Sequence, residues 1–153
     1  MALIVGTDTY ATMAEYQAYA ADYGWTLEAD GEVALRKARK ALDLSYIWRG
    51  SRQDDAQLLE WPRDLAQDTP EAIKAAQMEL AYLMQGGADP LATLATGAIK
   101  RKREKVDVIE EETEYADGTA RERPAYPAVD ALVAAFVVGK IGARTGSIRL
   151  ARA

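Results

Sequence analysis

Charged side chains are the groups best suited to chemistry in this sequence, because the usual catalytic alternatives are missing. Its 153 residues contain no histidine and no cysteine. That removes the commonest general base, the commonest neutral metal ligand, and every thiolate or disulfide. Three serines and no glycine-rich phosphate loop leave little for nucleophilic or phosphoryl chemistry. A carboxylate pair can serve as acid and base, but nothing in the pattern places two carboxylates in one cleft, so no enzymatic activity and no cofactor are expected. Adjacent Asp54 and Asp55 could hold a hard cation with help from backbone oxygens. No further ligand spacing supports this, and no metal is expected. Two groups of bases remain. Arg36, Lys37, Arg39 and Lys40 could touch phosphate, but at helical spacing they read as a solvated face. Residues 100–105 (Lys-Arg-Lys-Arg-Glu-Lys) carry a net charge of +4, and residues 107–114 answer with five acids and −5. The basic run could follow a nucleic-acid backbone. No aromatic residue interrupts it, whereas single-strand binders usually combine bases with stacking rings.

Several helices must carry these groups. Thr12 and Glu15 form a capping box at the start of a helix over 12–23, with Met13, Tyr16, Ala20 and Tyr23 on one face and Gly24 ending it. Asp30 is placed to cap a second helix over 30–46, whose buried stripe is Leu35, Ala38, Leu42 and Tyr46. Thr69 caps a third over 70–85, with Pro70 in its first turn, and Gly86-Gly87 stops it. Its stripe is Ile73, Ala76, Leu80, Leu83 and Met84. Pro127 opens a last helix over 127–138, with Val129, Leu132, Val133, Phe136 and Val137 at i, i+3, i+4, i+7 and i+8. Residues 3–5 read as an edge strand or an extended arm. Residues 88–97 are small and turn-rich, with room for one short helix. Residues 99–115, including the β-branched Val106, Val108 and Ile109, read as an extended, β-like arm, with a turn signal at Asp117-Gly118. The expected fold is mainly α: a small bundle of about four helices with that arm and a C-terminal tail. Residues 1–139 form the helical domain and 140–153 a basic docking tail.

Composition narrows the classes. The net charge of −5 does not suggest a dedicated nucleic-acid binder. No apolar run approaches a membrane span, and the first residues lack the flank of a signal peptide. A soluble chain made in a reducing cytoplasm is expected.

The stretch over 46–63 is the most distinctive. Tyr-Ile-Trp-Arg-Gly-Ser-Arg leads into a polar loop and then Leu-Leu-Glu-Trp-Pro-Arg. Trp48 and Trp61 bracket the loop, Gly50 lets the backbone turn, and Pro62 biases Trp61 towards an extended conformation. The indoles can pin the loop by folding back on the helices. This pair resembles the neck proteins of long-tailed phages. The order of Gly6-Thr-Asp-Thr-Tyr10, the central helix, Lys102-Arg-Glu-Lys-Val106, Pro124-Ala-Tyr-Pro127 and Ile148-Arg-Leu-Ala-Arg152 is similar to the same head–tail connector, or adaptor, group. Some members of that group carry a DnaT-like single-strand-binding label. The resemblance implies a virion protein of the neck region, made in the host cytoplasm. Copies would form a homo-oligomeric ring, often dodecameric, between the portal protein and a tail, stopper or completion protein, extending the channel and touching DNA non-specifically. The alternative is a DnaT-like single-stranded DNA-binding protein using residues 100–105.

Two expectations concern contacts. Lys100, Arg101, Lys102, Arg103 and Lys105 would face Glu110, Glu111 and Glu112 of a neighbouring copy, fixing the ring's register; pairing within one chain is the competing arrangement. The tail, through Arg144, Ile148, Arg149, Leu150 and Arg152, would add to a sheet edge on the portal.

Overall fold

The computed structural model describes residues 2–92, 94–96, 99–105, 110–115, 120–122 and 124–141; within 94–122 the strands are described by their backbone alone. Four helices carry the core: α1 (Met13–Asp22), α2 (Gly31–Ser45), α3 (Glu71–Gln85) and α4 (Pro127–Val133). Among the described residues six short strands accompany them: β1 (Tyr46–Trp48), β2 (Leu94–Thr96), β3 (Ile99–Lys105), β4 (Glu110–Tyr115), β5 (Ala120–Glu122) and β6 (Val137–Lys140). They pair antiparallel as β1–β6, β2–β5 and β3–β4. The result is a small helical domain mixed with two-stranded sheets.

The helix starts follow local chemistry. Thr12 Oγ1 accepts from the Glu15 amide, and Glu15 Oε2 accepts from the Thr12 amide at 2.6 Å, so the capping box forms. At α2, Asp30 stands in the cap position, but its side chain accepts from Gln85 Nε2 at 2.8 Å instead of from its own helix. The cap of α3 is Pro70, one residue later than the expected Thr69. Gly24, at φ +68°, follows α1; Gly86 and Gly87, the latter at φ +97°, end α3.

Leu35, Ala38 and Leu42 of α2 bury themselves with Ile73, Ala76 and Leu80 of α3, as the periodicity requires, and Tyr16, Ala20, Val129 and Val133 complete the core. Tyr23 departs from the expected face and is 59% exposed. Residues 3–5 form no strand. The Ile4 carbonyl accepts from the Thr7 and Asp8 amides, so the segment closes a turn, with only a single bridge between Val5 and Thr9.

The last helix is shorter than its pattern. It gives way at Val133 to a single 3-10 turn (Ala134–Phe136) and then to β6, which pairs with β1. Gly139 lies inside that strand, opposite Ile47. Two β-branched residues next to a glycine hold a helix weakly, and β1 offers an unpaired edge. Bonds at both ends fasten the ladder: the Arg49 amide donates to Phe136 O and the Ile141 amide to Ser45 O. Lys140, placed in the tail by the sequence, is therefore the last residue of β6. Its Nζ meets Asp130 Oδ1 at 3.0 Å, the oxygen that also accepts from the Tyr46 hydroxyl at 2.5 Å. Strand, helix and neighbouring strand are tied at one carboxylate.

Candidate nucleic-acid interface

The bases expected to do chemistry fall on α2 and on β3. The cluster on α2 is partly consumed at home. Arg36 donates to Ala2 O at 3.0 Å and stands 3.7 Å from Asp8. Arg39 donates to Asp8 O at 3.3 Å and pairs with Asp43 at 3.5 Å. These bonds hold the N-terminal turn against α2. Lys37 and Lys40 are exposed.

The basic run forms β3, and its partner is β4 of the same chain. The register sets Arg101 against Glu114, Lys102 against Thr113, Arg103 against Glu112, Glu104 against Glu111, and Lys105 against Glu110, with an irregularity next to Lys100. Arg101, Arg103 and Lys105 therefore face acidic positions inside one chain, which favours strand pairing, while Glu104 facing Glu111 works against it. The ladder closes between Lys105 and Glu110. Val106, Val108, Ile109 and Asp117-Gly118 lie outside the described residues, as do Arg144, Ile148, Arg149, Leu150 and Arg152. The turn-rich stretch before the hairpin contributes β2, which pairs with β5, in place of a short helix.

The tryptophan-bracketed loop is a structural element. Trp48 and Trp61 are buried and meet edge to face at 5.9 Å, and Phe136 meets Trp61 in the same way at 5.3 Å. Gly50 adopts φ +69°, and a Cβ there would lie 2.0 Å from Asp64 Oδ1. The peptide between Trp61 and Pro62 is cis. Arg63, which the sequence reading passed over, organises the loop. Its Nε donates to Arg49 O at 2.8 Å and its Nη2 to Gly50 O at 2.5 Å, while Nη1 binds Glu60 Oε2 at 2.6 Å. Asp54 is spent on its own turn, accepting from the Ala56 amide at 2.8 Å. Among the described residues no three carboxylates lie close enough together to hold a metal ion.

Gln77 is the other residue that sequence reasoning missed. It is fully buried in α3. Its Oε1 accepts from the Tyr10 and Ala11 amides, both at 3.0 Å, and its Nε2 donates to Thr9 Oγ1 and Leu35 O. Next to it the Tyr10 hydroxyl donates to Asp43. Burial raises the Asp43 carboxyl to about 6, although the bonds to Tyr10 and Arg39 work the other way.

A family model described as "Putative DnaT-like ssDNA binding protein" matches residues 1–153. The chain belongs to this family. No curated protein and no solved structure matches it. Membership in the DnaT-like family overturns the expectation of a head–tail adaptor in a virion neck. The motifs shared with connector proteins are short, and the whole-length match points instead to the label that the sequence reading held as its alternative. The portal, tail and stopper partners and the ring find no support beside it.

Proposed function

We propose that this chain binds single-stranded DNA without catalysing a reaction on it, holding the phosphates with Lys100, Arg101, Lys102, Arg103 and Lys105 of β3. The observation that carries the reading is the family match across all 153 residues. The distribution of bases supports the choice of strand. The run over 100–105 is the densest group of bases in the sequence. With the acids of β4 in register beside it, the hairpin is close to neutral. Affinity is therefore moderate, strongly salt-dependent and indifferent to base sequence.

The test is fluorescence anisotropy of a labelled oligo(dT) strand with the wild type and with the double variant Arg101→Glu/Arg103→Glu. Binding by the wild type and a loss of at least tenfold in the variant are expected. Equal binding by variant and wild type would move the site off β3.

A further inference from the structure

The C-terminal ends of α1 and α3 meet at a group of aromatic rings that DNA binding on β3 leaves unused. Trp25 stacks on Tyr82, with centroids 4.2 Å apart and planes 7° from parallel. Tyr23 lies against Trp25 at 5.3 Å and 29°, and Tyr19 meets both rings. Tyr23 is 59% exposed, and Trp25 and Tyr82 are partly exposed. Beside Tyr82 opens a groove of about 370 Å³, lined by Thr26, Glu28, Leu83, Gln85 and Gly86 among others.

The chain segments that carry these rings are acidic. Residues 13–35 contain five acids and no base, and residues 75–99 contain two acids and no base. Neither α1 nor α3 has a basic residue in its last turn, so no side-chain cation sits at the negative end of either helix. Glu79 accepts from the Tyr19 hydroxyl at 3.0 Å. The Tyr19 phenol is pushed up by burial and by bonds to Tyr23 and Glu79, and the Tyr16 phenol by burial and by the nearby Tyr82 and Asp30. Such a surface repels phosphate. It suits a cation that can lie flat on a ring.

The geometry points to a docking site for an arginine-bearing peptide segment of a partner protein. A guanidinium would stack on the Tyr23–Trp25–Tyr82 group and reach the exposed Glu28 carboxylate. Arginine fits better than lysine because its planar head stacks on aromatic faces and donates in two directions at once. The site is separate from β3, so the protein can hold DNA and a basic partner together.

Trp25 reports on this surface, since the other two tryptophans, Trp48 and Trp61, are buried. The experiment titrates the full chain with hexa-arginine, hexalysine and hexacitrulline peptides, following tryptophan fluorescence. Hexa-arginine should give a saturable change, hexalysine a weaker one and neutral hexacitrulline none. Tyr23→Ala and Glu28→Gln, both exposed positions, should each weaken hexa-arginine about two- to fivefold without altering the thermal melt. Trp25→Phe should remove the signal. The proposal falls if hexa-arginine gives no saturable change, if hexacitrulline matches it, or if both surface variants bind as the wild type does. It also falls if oligo(dT) alone, with no peptide present, gives the same saturable tryptophan change in the Arg101→Glu/Arg103→Glu variant, which would assign the rings to base stacking. DNA binding on β3 is read separately from the labelled oligonucleotide, so the two readings fail independently.

Discussion

Replacing Gln77 by leucine tests how the N-terminal turn is held on the core. The glutamine carboxamide is buried, and its oxygen is the acceptor given to both the Tyr10 and Ala11 amides. Leucine fills a similar volume but accepts nothing. Thr9 Oγ1 keeps its bond to Ala11 O, and Leu35 O stays within α2, so those two groups are not stranded. The two amides are. Each buried donor left without a partner costs about 1–3 kcal/mol. Some of this is offset by the gain from burying an apolar side chain. A net loss of about 3 kcal/mol is expected, a large share of the roughly 5–15 kcal/mol that holds a domain together. Urea unfolding followed by circular dichroism should show a lower midpoint with an unchanged slope. A companion variant, Gln77→Glu, keeps an acceptor for the amides but sets a carboxylate oxygen against Leu35 O. Its folded-state pKa should be raised, so it should be best tolerated below pH 4 and lose stability as the pH rises. A cost for Gln77→Leu below about 1 kcal/mol would mean that the amides find other partners and that the carboxamide is not their anchor.

Asp43 has a folded pKa of about 6, above its unfolded value of 3.8, so its protonation favours the fold and its contribution is lost as pH rises through about 4 to 6. Asp43→Asn should flatten the pH dependence of stability in that window, measured as the difference between wild-type and variant unfolding curves. Gly50→Ala should cost about 1–3 kcal/mol, because φ is positive there and Asp64 occupies the space a Cβ needs. Thermal unfolding reads this directly. Leu80→Ala, between α2 and α3, should cost about 2–5 kcal/mol by denaturant titration.

The parts of the fold visible in the sequence are those set by neighbours in the chain. The Thr12–Glu15 box, the stripes of α2 and α3, and the glycines after α1 and α3 all follow from local periodicity and capping. What the sequence hides depends on distant partners. Val137 continues an apolar helical pattern, and only the edge of β1, some ninety residues earlier, makes it a strand. Gln77 looks like a surface residue of an alanine-rich helix until the N-terminal turn is laid over it. Arg63 looks like a solvated base, yet four of its bonds close the loop before it. The Trp25–Tyr82 stack joins residues with no shared motif. The candidate DNA-binding run is plain as a charge pattern, and its register pairs it with β4 of the same chain. Its function is legible only as the alternative, a DnaT-like single-strand binder, because short motifs in the right order suggest a connector where the whole-chain match shows the DnaT-like family.

The most direct test of single-strand binding is a salt titration of oligo(dT) affinity by anisotropy. If β3 neutralises about three to five phosphates, log K against log salt should fall with a slope of about −2 to −3.5. The slope should shrink by more than one in Arg101→Glu/Arg103→Glu. No measurable binding at low salt, or binding whose affinity ignores salt, would contradict the account.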